Sequence, residues 1–91
     1  MRNIVSLSLT NTLLNDSGFE MIAVVCKGTL RSLNISKNPS LTPKTYNFIA
    51  VNFRRLECLN VERNFIKDEG CSALLTWTMK SDGVEQESFY S

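Results

Sequence analysis

The chain repeats itself every 26 residues, and a fixed period of that length restricts it to architectures built by stacking one small unit on another. The block Leu56-Glu-Cys-Leu59-Asn-Val61-Glu-Arg-Asn64-Phe-Ile66 follows Leu30-Arg-Ser-Leu33-Asn-Ile35-Ser-Lys-Asn38-Pro-Ser-Leu41. That block in turn follows Ile4-Val-Ser-Leu7-Ser-Leu9-Thr-Asn-Thr12-Leu-Leu14. Within each block apolar and polar residues alternate, the period of a short strand with one buried face. Leu7 and Leu9, Leu33 and Ile35, and Leu59 and Val61 are expected to point inward. Ser6 and Ser8, Ser32 and Asn34, and Cys58 and Asn60 then point outward. Strands spaced this evenly stack in parallel, one per unit. Asn38 and Asn64 are read as structural, because a buried amide can bond backbone groups freed where a strand turns away. Thr12 holds the same place in the first block with a single hydroxyl.

The second half of each block switches to helical spacing. Phe19, Ile22, Ala23 and Cys26 form one apolar stripe, and Tyr46, Ile49, Ala50 and Phe53 form another. Cys71, Leu74 and Leu75 are expected on the inner face of a third helix. Ser17 with Glu20 reads as a capping box, Thr42-Pro43 as an N-cap followed by an N1 proline, and Asp68 as the third cap.

The pattern L-x-x-L-x-L-x-x-N-x-L resembles the leucine-rich repeat. The resemblance covers residues 4–75 and implies an α/β solenoid of about three strand–helix coils with a parallel, concave sheet, an incomplete array. The steps Leu14-Asn-Asp16, Leu41-Thr-Pro43 and Ile66-Lys-Asp68, with Cys26 four residues before Leu30, resemble the cysteine-containing repeats of F-box/LRR substrate receptors. Asn38 and Asn64 stand where that subclass carries its other cysteine. The ribonuclease-inhibitor class is the nearest alternative. The implied function is protein–protein interaction, with substrate recognition for a ubiquitin ligase as a finer possibility; no F-box precedes the repeats here.

Repeats starting near residues 4, 30 and 56 fill positions 1–79, and the next block, due near residue 82, lacks the pattern. Residues 80–91 read as a polar, acidic tail, with Asp82-Gly83 as a turn and Ser88–Tyr90 as a candidate edge strand. Met1-Arg2-Asn3 leave no room for a cap. A fragment of a longer repeat protein with only a structural role, and a stand-alone domain that self-associates through an uncapped solenoid end, both remain open.

Composition narrows the function classes. Ten Lys/Arg against nine Asp/Glu give a net charge of +1, no footprint for nucleic-acid binding. Histidine is absent, which removes Ser–His and Cys–His nucleophile pairs, and no enzyme is expected. Cys26, Cys58 and Cys71 are spaced for neither a disulfide framework nor a zinc site, and no cofactor is expected. A reducing compartment, cytoplasmic or nuclear, fits that usage. No apolar run approaches membrane-spanning length. The partner-binding candidates lie on the concave face: Ser6, Ser8 and Thr10; Ser32, Asn34 and Ser36; Cys58, Asn60 and Glu62; with Lys37 and Arg63 beside the last row. The alternative is a merely solvated sheet face. Trp77 is read as an edge cover or a partner anchor, and Arg54-Arg55 with Arg31 and Lys27 as a modest basic cluster at a solvated edge.

Overall fold

The computed structural model describes residues 3–80, with side chains to Trp77. Residues 81–91 of the acidic tail, with the candidate strand Ser88–Tyr90, lie outside the described residues, and Lys80 ends the last helix. Three strand–helix units follow one another: β1 (Ser6–Ser8), α1 (Asp16–Cys26), β2 (Ser32–Asn34), α2 (Pro43–Asn52), β3 (Cys58–Asn60) and α3 (Lys67–Lys80). The strands form one parallel sheet in the order β1-β2-β3. Ser6, Ser32 and Cys58 share one register row, Leu7, Leu33 and Leu59 the next, and Ser8, Asn34 and Asn60 the third. The period therefore becomes geometry: a residue and its counterpart 26 positions on stand side by side.

Leu33, Ile35, Leu59 and Val61 are buried with Phe19, Ala23 and Cys26 of α1, Tyr46 and Ile49 of α2, and Ala73, Leu74 and Trp77 of α3. Phe53 is buried too, as the cap residue just past α2. Phe19 stacks on Phe53 at 5.9 Å between ring centroids and meets Phe48 edge-on at 6.2 Å, which ties the first unit to the second. Ile22 and Ala50 lie at the margin of the core.

Two asparagines hold the strand ends together. Asn38 is fully buried. Its Oδ1 accepts from the backbone N–H of Thr12 at 3.0 Å and of Leu14 at 2.9 Å. Its Nδ2 donates to the carbonyls of Leu9, Ile35 and Ser36 at 2.9–3.0 Å. Asn64 repeats the theme one unit on, accepting from the Asn38 N–H and donating to the Ile35 carbonyl at 2.9 Å. Thr12 spends its hydroxyl on its own unit, donating to the Leu9 carbonyl at 2.9 Å. One residue before each of these positions the backbone is left-handed, at Asn11, Lys37 and Arg63, with φ of 54°, 59° and 61°. Asparagine tolerates that conformation better than the two long side chains do.

The helix starts differ from expectation in two places. Asn15, not Ser17, caps α1, its side chain accepting from the Gly18 N–H at 2.8 Å. The preceding asparagine reaches the orphan N–H groups first and leaves Ser17 exposed within the first turn. Thr42 caps α2 as expected, accepting from the Lys44 N–H with Pro43 behind it. α3 starts at Lys67, so Asp68 sits inside its first turn, where a negative charge opposes the helix dipole favourably.

The inner face of α3 is also rotated from expectation. Gly70, Ala73, Leu74 and Trp77 are buried, while Cys71 is half-buried and Leu75 is 52% exposed. Gly70 permits this approach. A Cβ placed there would stand 2.7 Å from Ile66 Cγ2 and 2.9 Å from Tyr46 Cδ2. Tyr46 is wholly enclosed and its ring cannot swing away. Gly70→Ala is therefore expected to destabilise by about 1–3 kcal/mol, against the gain of roughly 1 kcal/mol that alanine normally brings to a helix interior. Urea unfolding with an unchanged m-value checks it, and a more stable variant would refute the close contact. The same junction holds two costs: the Tyr46 hydroxyl and the Trp77 Nε1 find no partner among the described residues. Burial, moderated by the Asn64 side chain and reinforced by the Asp16 charge, pushes the Tyr46 phenol up to about 12.

Candidate functional site

The helices and inward strand residues occupy one side of the sheet, and the other side carries the candidate surface. Ser6 and Cys58 are exposed and Ser32 is half-buried, so the first row presents two hydroxyls and a thiol to solvent. In the next row Ser8 is exposed and Asn34 and Asn60 are half-buried. In the third, Thr10 and Glu62 are exposed, but Ser36 is buried. Lys37 and Arg63 are exposed at the rim where the strands end. Glu62, the residue before Arg63, accepts the Lys37 N–H with its carbonyl at 2.9 Å, which continues the pairing past the strands.

Part of this surface is spent on holding itself together. Asn34 Oδ1 accepts from the Ser36 N–H at 3.0 Å and from the Ser36 hydroxyl at 2.7 Å. With its proton given to Asn34, the Ser36 hydroxyl accepts from Thr10 at 2.8 Å. Asn60 Oδ1 accepts from the Glu62 N–H at 3.0 Å. These are side-chain turns two residues long, the local bonding that asparagine offers where a strand ends. Asn34, Asn60 and Ser36 therefore form the frame of the site. The side chains left free for a partner are Ser6, Ser8, Ser32, Cys58, Glu62, Lys37 and Arg63. The asparagine two residues before a backbone N–H was the readable signal for this.

The remaining candidates resolve as follows. Arg31 pairs with Glu57 at 3.3 Å, both side chains about half exposed, and Arg54, Arg55 and Lys27 are exposed. Trp77 is 1% exposed and packs in the core, so it presents nothing to a partner. Cys26 is buried, its thiol donating to the Ile22 carbonyl at 3.6 Å, and burial raises its pKa against a small lowering by its own backbone. Among the described residues no helix is long and apolar enough to cross a membrane.

On the helix side, Asp16 joins the first two units. It accepts from the Thr42 N–H at 3.0 Å and from the hydroxyls of Thr42 and Thr45. Partial burial pushes its carboxyl up, but the Thr42 and Thr45 bonds and the Lys44 charge outweigh this and hold it below its ordinary value. A depressed folded-state pKa stabilises above the ordinary carboxylate value and is lost as pH falls through the folded one. Asp16→Asn is expected to cost about 1 kcal/mol at neutral pH, kept small by solvent screening, and nothing once the wild-type carboxyl is protonated. Parallel urea titrations at neutral and strongly acid pH check this. A difference that persists in acid would sink it.

Comparison with known families bears on the third unit. A leucine-rich repeat family model matches residues 54–75, which span β3 and the start of α3 as far as Leu75. The third unit is similar to a leucine-rich repeat. The units before it place Leu33 and Leu7 in register with its Leu59, and Asn38 does in the second repeat what Asn64 does in the third. The match supports a leucine-rich repeat protein, and through it a protein-interaction module in general. No curated protein and no solved structure gives a significant match to the chain.

Proposed function

We propose that the chain is a short piece of leucine-rich-repeat solenoid whose outer, concave sheet face binds an extended polypeptide bearing an acidic side chain. The observation that carries this reading is the register of the sheet. Adjacent parallel strands stand about 4.8 Å apart, so Ser6, Ser32 and Cys58 offer small polar groups at even intervals to a chain laid across them. At the strand ends Lys37 and Arg63 set two positive charges against the single negative charge of Glu62. The surface lacks aromatic anchors, so binding is modest and salt-sensitive.

The reading is non-enzymatic, and its support is a sequence without histidine to pair with a serine or cysteine. Ubiquitin-ligase substrate recognition and an intracellular location are finer versions of it. Their support is the position of Cys26 in sequence and the pattern of cysteine use, and Cys26 itself packs in the core.

Selection of displayed random peptides on the full chain tests the proposal. Peptides rich in Asp and Glu are expected, with affinity falling about tenfold in a Lys37→Glu, Arg63→Glu double variant that keeps its circular dichroism. Exposed Ser17→Arg on α1 serves as the control and should change nothing. Peptides indifferent to the double variant, or no binders at all, would leave the repeats with a structural role only.

A further inference from the structure

We propose that two copies of the chain pair through the edge of β1, which no strand covers among the described residues, strand against antiparallel strand, about a two-fold axis. The first unit is where the core is unfinished. Leu33 and Ile35 of the second unit are 1% and 0% exposed, and Leu59 and Val61 of the third are 3% and 0% exposed. Their counterparts Leu7 and Leu9 remain half-exposed, together with Ile4 and Ile22. Val5 is 47% and Val25 51% exposed in the same unit. β3 is also an edge, but its inward residues are already enclosed.

The backbone at β1 is equally unfinished. The Val5 carbonyl accepts from the Ser32 N–H at 3.0 Å and the Leu9 N–H donates to the Asn34 carbonyl at 2.7 Å. In a parallel pair this alternation turns the N–H and C=O of Ser6 and Ser8 toward the open side. Antiparallel pairing centred on Leu7 sets Ser6 of one copy opposite Ser8 of the other and satisfies all of these groups. Leu7 then meets Leu7 of the second copy.

Charge and hydrogen-bond chemistry choose this arrangement over head-to-tail stacking of copies. At the junctions inside the chain the later unit gives an asparagine amide to the earlier one, and Thr42 gives an N–H and a hydroxyl to Asp16. The first unit has neither gift to make. Thr12 stands at the amide position with its hydroxyl already committed, and Asp16 stands where the second unit has Thr42. Asp68 is the counterpart of Asp16 in the third unit, so β3 of one copy stacked on β1 of another would set carboxylate against carboxylate. Two-fold pairing avoids this. Residues 3–15 contain no charged side chain, so the axis brings no like charges together. A face that is apolar, uncharged and self-matching suits a second copy of itself.

Sedimentation and light scattering of the full chain from micromolar to millimolar concentration test the proposal. A mass of two chains is expected, with slowed amide exchange at Ser6 and Ser8 as the dimer forms. Ser8→Pro removes an edge N–H without touching the β1–β2 bonds, and Val5→Lys adds like charges at an exposed position. Both are expected to give folded monomers. A wild-type chain that stays monomeric throughout overturns the proposal. So does a dimer that survives both substitutions, or a mass that grows without limit, the mark of head-to-tail stacking.

Discussion

Asn38→Ala is expected to cost about 3 kcal/mol or more, a large share of the roughly 5–15 kcal/mol that hold a small domain together. The substitution leaves two N–H groups, Thr12 and Leu14, without partners, and takes one of two donors from each of the carbonyls of Leu9, Ile35 and Ser36. Each buried group left unpaired costs about 1–3 kcal/mol, less where water can enter. The three carbonyls are not orphaned, because the Thr12 hydroxyl, the Asn64 amide and the Asn11 N–H still donate to Leu9, Ile35 and Ser36. Asn64→Ala should therefore cost less, about 1–2 kcal/mol, since it serves fewer groups. Asn38→Asp keeps the acceptor that Thr12 and Leu14 use but sets its second oxygen against the carbonyls of Leu9, Ile35 and Ser36 in a buried site, and is expected to destabilise at least as much as Asn38→Ala. Equilibrium urea unfolding of all three variants checks the ranking. An Asn38→Ala protein as stable as wild type would mean that the strand ends are not held as described.

Leu59→Asp is expected to abolish folding, while Cys58→Asp one residue earlier leaves the fold intact. Leu59 is 3% exposed among Leu33, Leu56 and Val61, and an unpaired carboxylate there must either lose its charge or open the core. Cys58 lies on the outer face and is exposed. Circular dichroism and proton NMR dispersion of the two variants make the comparison. A folded Leu59→Asp protein would overturn the assignment of sheet faces on which the proposed binding surface stands.

Much of this fold could be read because one period wrote it three times. Alternation placed Leu33 and Leu59 inward, and the recurrence of asparagine foretold the bonds of Asn38 and Asn64. The Thr42 cap was equally plain. The errors arose where a neighbour in space changed the local preference. Ser17 and Glu20 imitate a capping box, but Asn15 takes the cap position and Asp16 is engaged by Thr42 and Thr45. α3 turned its Gly70 edge inward because a missing side chain allows contact with Tyr46, and apolar spacing alone does not count what is absent. At the candidate site, alternation assigned Ser36 to the outer face. It is buried because Thr10 and Asn34, one a unit away and one two residues away, both bond its hydroxyl.

The asparagine bonds between units also have a direction. Each amide reaches back to the unit before it, from Asn38 to the first and from Asn64 to the second, and the hydroxyls of Thr42 and Thr45 reach back likewise. Debt in the array therefore runs one way. Deleting the first unit leaves the Asn64 bonds to the second in place, whereas deleting the third takes the Asn64 partner from Asn38 and Ile35. Removing the first unit in turn strips Asn38 of Thr12, Leu14 and Leu9, so the second unit is the one on which both junctions depend.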